Sequence, residues 1–78
     1  MAYEVRFVTE ARRQRDSLGS PARRELEKVL NELRRDPYRK AKKGAEGVWW
    51  RDFGGSGQVM YLVSDQIVTV TVLRLTYV

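Results

Sequence analysis

A chain of 78 residues with a formal net charge of +5, no cysteine and no histidine makes one small domain, which buries roughly 60–65% of its unfolded surface. Lacking both residue types, it offers no thiolate or imidazole to a metal, no disulfide and no Ser/His or Cys/His nucleophile pair, so neither a metal nor a small-molecule cofactor is expected. No stretch reaches the roughly 18 apolar residues of a membrane span, and Met1-Ala2-Tyr3-Glu4 does not open a secretory signal; the expected location is the cytoplasm, with no membrane partner.

Tyr3, Val5 and Phe7 alternate with Glu4 and Arg6, the period-two pattern of a half-buried strand. Thr9 offers an N-cap, Ala11, Arg15 and Leu18 fall at helical spacing, and Gly19 is a natural stop. A second helix starts at Ser20-Pro21, a capping hydroxyl followed by a residue with no N–H to leave unpaired. Its stripe of Ala22, Leu26, Val29, Leu30 and Leu33 is continuous at 3.6-residue spacing, and Asp36-Pro37 ends it. Residues 38–46 show no period and read as a basic loop.

Val48 to Phe53 opens a second strand, and Gly54-Gly55-Ser56-Gly57 makes a hairpin turn. Gln58 to Ser64 follows, with Val59, Tyr61 and Val63 on one face and Met60 and Leu62 on the other. After a turn at Asp65-Gln66, Ile67 to Val78 is a β-branched run. It is apolar on both faces, the mark of an inner strand. The expected fold class is α+β with element order β-α-α-β-β-β, a helical hairpin on a mainly antiparallel four-stranded sheet. The first strand is placed beside the last, and the uncovered face is floored by Thr69, Thr71 and Trp49.

Charge is distributed unevenly along this order. Fourteen basic and eight acidic residues lie in positions 1–51, and one basic and two acidic residues in positions 52–78. A localised positive field attracts phosphate backbones or an acidic protein in a salt-sensitive way. Arg12, Arg13, Arg23 and Arg24 lie on the two helices, and Lys40, Lys42 and Lys43 in the loop, where they can position a nucleic acid without reading its sequence. Trp49 and Trp50 point to opposite faces, so one is free to stack on a base.

Taken together, Met1-Ala2-Tyr3, Leu18-Gly19-Ser20, Arg23-Arg24-Glu25-Leu26, Asp36-Pro37, Ala41-Lys42-Lys43, Gly47-Val48-Trp49-Trp50-Arg51, Met60-Tyr61 and Val72-Leu73-Arg74 resemble, in order and over the whole chain, the RelE/ParE superfamily of type II toxins. The opening and the joint between the helices look more like the RelE branch. The resemblance implies a single RelE-like domain over residues 1–78 and a RelB-like antitoxin partner in a toxin–antitoxin heterotetramer. It also implies a toxin that inhibits translation by cutting mRNA on the ribosome, a metal-independent endoribonuclease. Two alternatives stay open, a ParE-type gyrase inhibitor and a non-toxic member that only binds its antitoxin.

The resemblance further implies Arg51, Arg74 and Tyr77 as catalytic residues. Arg51 matches a basic position that contacts mRNA phosphate, and Tyr77 stands in for a tail tyrosine. Lys40, Lys42, Lys43, Arg12, Arg13, Arg23, Arg24 and Trp49 are the expected RNA contacts. Gln58 and Val78 stand where relatives carry arginines. From the residues alone, Arg74 on an apolar strand calls for a partner, Asp52 or Asp65, because an unpaired charge is costly to bury.

Overall fold

The stripe on the second helix decides the architecture, because five apolar side chains on one face must be covered by something equally apolar. In the computed structural model, which describes residues 2–77, they meet one face of a sheet. The elements are β1 (Glu4–Phe7), α1 (Thr9–Asp16), α2 (Ser20–Arg35), β2 (Lys42–Lys43), a short 3-10 turn (Ala45–Gly47), β3 (Trp49–Phe53), β4 (Gly57–Ser64) and β5 (Thr69–Tyr77). The sheet order is β1-β5-β4-β3-β2, with β1 parallel to β5 and every other pairing antiparallel. Leu26, Leu30 and Leu33 of α2 pack with Phe53, Val59, Tyr61, Val70 and Val72.

The expected order and the β1–β5 pairing hold, but the sheet has five strands rather than four. Lys42 and Lys43 pair with Trp50 and Trp49, so the basic loop is partly a small hairpin. It is closed by a hydrogen bond of 2.7 Å from the Gly44 N–H to the Val48 carbonyl and by left-handed backbone at Glu46 and Gly47. Both expected side-chain caps are absent: α1 is preceded by Val8 and α2 by Gly19, neither with a side-chain capping bond. The first helix also ends at Asp16, short of Gly19.

The two-faced reading of the last strand is corrected by a bulge. Met60 pairs with Arg74 and Tyr61 with Val72, which leaves Leu73 as an extra residue. An extra residue reverses the alternation, so Val70, Val72 and Leu75 all turn to the helices and are buried. Beyond Phe7 the partner β1 is gone, and the free edge of β5 is satisfied from α1: the Leu75 N–H donates to Gln14 Oε1 at 2.7 Å. Val78 lies outside the described residues, as does Met1.

Candidate nucleic-acid interface

The sheet has one face covered by α1 and α2 and one face left open, and strand alternation sorts the expected site residues between them. Arg51 shares its parity with Trp49 and Phe53 and therefore points to the helices. Its side chain is 8% exposed and forms an ion pair with Glu32 of α2, and it donates a second bond of 3.3 Å to the Arg39 carbonyl. The hydrogen bond that Arg51 donates to Glu32, followed by the Arg51 charge, holds the Glu32 carboxyl below its ordinary range, with Lys40 and Arg39 adding smaller contributions. The pair joins β3 to α2, and a phosphate approaching Arg51 has to displace Glu32.

Arg74 lies on the opposite side. Its expected partners are both engaged elsewhere: Asp52 contacts Lys42 Nζ at 3.6 Å, and Asp65 accepts from Tyr3 at 2.7 Å and from Tyr38 at 2.8 Å. Among the described residues Arg74 forms no ion pair, and it is exposed. The expectation of a paired, buried arginine is thus corrected, because the bulge at Leu73 turns Arg74 out to solvent. Tyr77 returns to the helix side, where its ring stacks on Phe53 at 5.7 Å. The sheet therefore separates Arg74 from both Arg51 and Tyr77.

What the open face does bring together is a row across four strands. Lys42, Trp50, Met60 and Arg74 are successive register partners, so their side chains stand side by side. With strands roughly 4.8 Å apart, the two cations bracket the row over roughly 14 Å. The next row is Asp52, Gln58 and Thr76, and Thr71 and Leu62 pair further along. A cation at each end of an aromatic platform is an arrangement that holds single-stranded nucleic acid by its backbone and stacks a base between.

The floor of this face differs from expectation in one residue. Trp49 faces the helices, packs against the core and meets the Tyr38 ring edge-on at 5.1 Å, while Lys43 Nζ lies 5.8 Å from its ring centre. Trp50 is the tryptophan on the open face. It lies against Gly44, where an added Cβ would come within 2.7 Å of Trp50 Nε1. Thr71 is on the open face as expected, and Thr69 is buried there. Lys40 sits in the turn after α2 with φ of 59°, and Arg12, Arg13, Arg23 and Arg24 are exposed on the helical side. Of the expected RNA contacts, the structure brings only Lys42 into the row with Arg74.

For three residues of this region, Trp50, Asp52 and Glu32, the sequence expectation does not give the position found. The alternation around Phe53 carries the signal for two of them: if Phe53 is core, Arg51 must face the helices, and Trp50 and Asp52 must face away. The third, Glu32, lies on the polar side of the α2 stripe, and nothing in the helix pattern marks it as the partner of Arg51.

No family model matches the sequence, and no curated protein matches it. Solved structures do. The chain is similar over its full length, and that of the other chain, to a structure of the toxin–antitoxin complex RelBE2 from Mycobacterium tuberculosis, at 28% identity and a TM-score of 0.87. It is similar at 26% identity and a TM-score of 0.86 to the intact E. coli RelBE toxin–antitoxin complex, covering 99% of this chain and 98% of that one. A YoeB/ParE toxin from Agrobacterium tumefaciens shares the fold at 14% identity and a TM-score of 0.81, over 96% of this chain and 98% of that one. The chain therefore has the RelE-like toxin fold of the RelE/ParE superfamily, nearer to its RelE members than to the YoeB/ParE structure.

Proposed function

We propose that this chain is the toxin of a type II toxin–antitoxin pair and acts on translation by cutting mRNA at the ribosome. The observation that supports this reading is similarity along the whole chain, at 26–28% identity, to structures of RelBE complexes. The open sheet face receives the RNA strand, with Lys42 and Arg74 on phosphates at the two ends of the row and a base against Trp50. A metal-free cut needs a ribose 2′-OH to lose its proton, its oxygen to attack the adjacent phosphorus, and the 5′ oxygen to leave with a proton. Arg74 is placed to stabilise the negative charge that builds on the phosphoryl oxygens. The partner is an antitoxin with an acidic, amphipathic segment, which neutralises the basic surface and covers the free edge of β5. This partner, the ribosome and a cytoplasmic location go together.

One observation favours a second reading, in which the chain binds without cutting. Arg51, Arg74 and Tyr77 do not converge, since Arg51 is closed by Glu32 and the sheet lies between Arg74 and the other two. Induction in a bacterial host with mapping of mRNA 5′ ends separates the two readings. New ends inside reading frames that vanish in Arg74→Ala support cleavage. Growth arrest without new ends supports binding alone, and supercoiling loss with intact mRNA points to gyrase. Rescue of growth and solubility by a co-expressed acidic antitoxin tests the partner, and a soluble monomer indifferent to it would count against the pair.

A further inference from the structure

We infer that Gly44 is a positioning residue of the open face: the absence of a side chain there lets the Trp50 ring lean across the strands and turn a π face to solvent. This rests on the reading of that face as the RNA surface, and it names the residue that keeps the stacking platform in place. The backbone at this position does not call for glycine. With φ of −100° and ψ of −168°, Gly44 has an extended conformation open to any residue, unlike Gly47 and Gly54, whose φ is positive.

What Gly44 supplies is space. In the antiparallel pair of β2 and β3, Lys42 stands opposite Trp50, and the Gly44 N–H donates to the Val48 carbonyl at 2.7 Å. Gly44 therefore lies two residues beyond Lys42, on the same face and diagonal to Trp50, where an aromatic ring of the neighbouring strand can reach it. A Cβ added at Gly44 would lie 2.7 Å from Trp50 Nε1 and 3.1 Å from Trp50 Cδ1, inside the ~3.5–4.0 Å of an ordinary heavy-atom contact. The pyrrole edge of the indole occupies the volume that a side chain would fill.

That contact fixes how the ring lies. Side chains of a strand stand roughly perpendicular to the sheet, and an upright indole would hold its edge clear of the neighbouring backbone. For Nε1 and Cδ1 to reach a point one bond from the β2 backbone, the ring has to lean toward β2, with its six-membered ring on the side away from Gly44. The lean also accounts for Trp50 being half-buried on a face that no helix covers. A leaning ring offers its face to a base and an upright one only its edge, and stacking needs the face. The setting differs from Gly57, whose missing Cβ is filled by the buried ring of Phe53. Trp50 is at the surface and free to turn, so a side chain at position 44 redirects the ring more than it strains the fold. Lys42 and Arg74 keep their places at the ends of the row whatever the ring does, so Gly44 acts on stacking and not on charge.

The test uses Gly44→Ala in the full chain. Nitrogen-15 spectra show one indole N–H signal for each of the two tryptophans, and Trp50→Leu identifies that of Trp50 by deleting it. Gly44→Ala should move the Trp50 signal before any RNA is added, with the thermal midpoint close to that of the wild type. Fluorescence anisotropy with a labelled uridine hexamer should then show affinity about five- to ten-fold weaker, the lower part of what one stacked base contributes. The salt dependence of binding should be unchanged, because no phosphate contact is lost, whereas Arg74→Ala should reduce it. In a Trp50→Leu background Gly44→Ala should have no further effect, since there is no ring left to position. An affinity unchanged by Gly44→Ala, an unmoved Trp50 signal, or a loss that recurs in full in the Trp50→Leu background would overturn the assignment while leaving the RNA surface standing. No binding of the hexamer by the wild type would overturn both.

Discussion

Gly57 opens β4 directly opposite Phe53, and the two residues set a limit on what the hairpin at residues 54–57 tolerates. A Cβ added at Gly57 would lie 2.6–2.8 Å from three atoms of the Phe53 ring, well inside the ~3.5–4.0 Å of a carbon–carbon contact. The ring is 1% exposed and cannot swing away, because Tyr77 stacks on it with an interplanar angle of 23° and close-packed surroundings transmit the displacement. Overpacking of this kind costs about 1–3 kcal/mol. Replacing glycine also removes unfolded-state freedom, a gain of about 0.4–1 kcal/mol, which is available here because the backbone at Gly57 is not left-handed. Gly57→Ala should therefore destabilise by about 1–2 kcal/mol, against a total of about 4–12 kcal/mol for a domain of this size. In a thermal melt followed by circular dichroism the midpoint should fall by about 5–15 °C. Phe53→Leu, which shortens the ring, should partly rescue it, so the double variant loses less than the two single losses combined. A Gly57→Ala protein as stable as the wild type, or strictly additive losses, would refute the reasoning.

Glu32→Gln leaves the Arg51 guanidinium with a neutral acceptor in an almost closed setting, so the urea midpoint should fall. The Glu32 carboxyl is depressed in the folded state by its hydrogen bond to Arg51. It therefore contributes stability that is present above the unfolded value and is lost as pH falls through the folded one. The acid limb of the stability profile should accordingly be shallower in Glu32→Gln, and identical limbs would refute the pair. At the other end of the scale, Tyr38 and Tyr61 are each pushed up to about 12, Tyr61 chiefly by burial and Tyr38, which is 38% exposed, by partial desolvation together with its hydrogen bond to Asp65. Their contribution is whole below the unfolded value near 10 and disappears as pH rises toward 12. Absorbance at 295 nm should show both tyrosines ionising late, together with alkaline unfolding; complete titration near pH 10 in a folded protein would contradict it.

Much of the fold was legible because its elements repeat a period. The α2 stripe and the alternation of Tyr3, Val5 and Phe7, then of Val59, Tyr61 and Val63, each predict a buried face, and those faces meet. Illegible features depend on single residues with no periodic signature. The bulge at Leu73 looks like one more member of an apolar run, yet it decides that Leu75 goes in and Arg74 out. The Gln14 bond to the edge of β5 joins residues 61 positions apart, and no local pattern marks that glutamine. Arg51 shows why the site was harder to read than the fold. It lies in a stretch shared with relatives, which suggests a phosphate contact, while its parity with Phe53 assigns it to the helix side and to Glu32.

The placement of the arginines also changes what the net charge predicts. If all fifteen basic residues neutralised phosphates, the logarithm of RNA affinity would fall against the logarithm of salt with a slope of about −10, at about −0.7 per phosphate on a single strand. The sheet divides them. Arg51 is spent on Glu32, and Arg12, Arg13, Arg23 and Arg24 stand on the helical side, beyond a packed sheet. At physiological ionic strength charges are screened over about 8 Å, so those arginines contribute little at the open face. That face offers Arg74, which has no ion pair among the described residues, Lys42, which contacts Asp52 at 3.6 Å, and Arg6 of β1, which contacts Glu4 at 3.3 Å. Binding of a single-stranded hexamer there should have a slope of about −1.4 to −2, falling by about 0.7 in Arg74→Ala. Titration between about 50 and 300 mM salt measures it. A slope steeper than about −4, unaffected by Arg74→Ala but reduced by Arg23→Ala or Arg24→Ala, would place the RNA on the helices and sink the assignment of the open face.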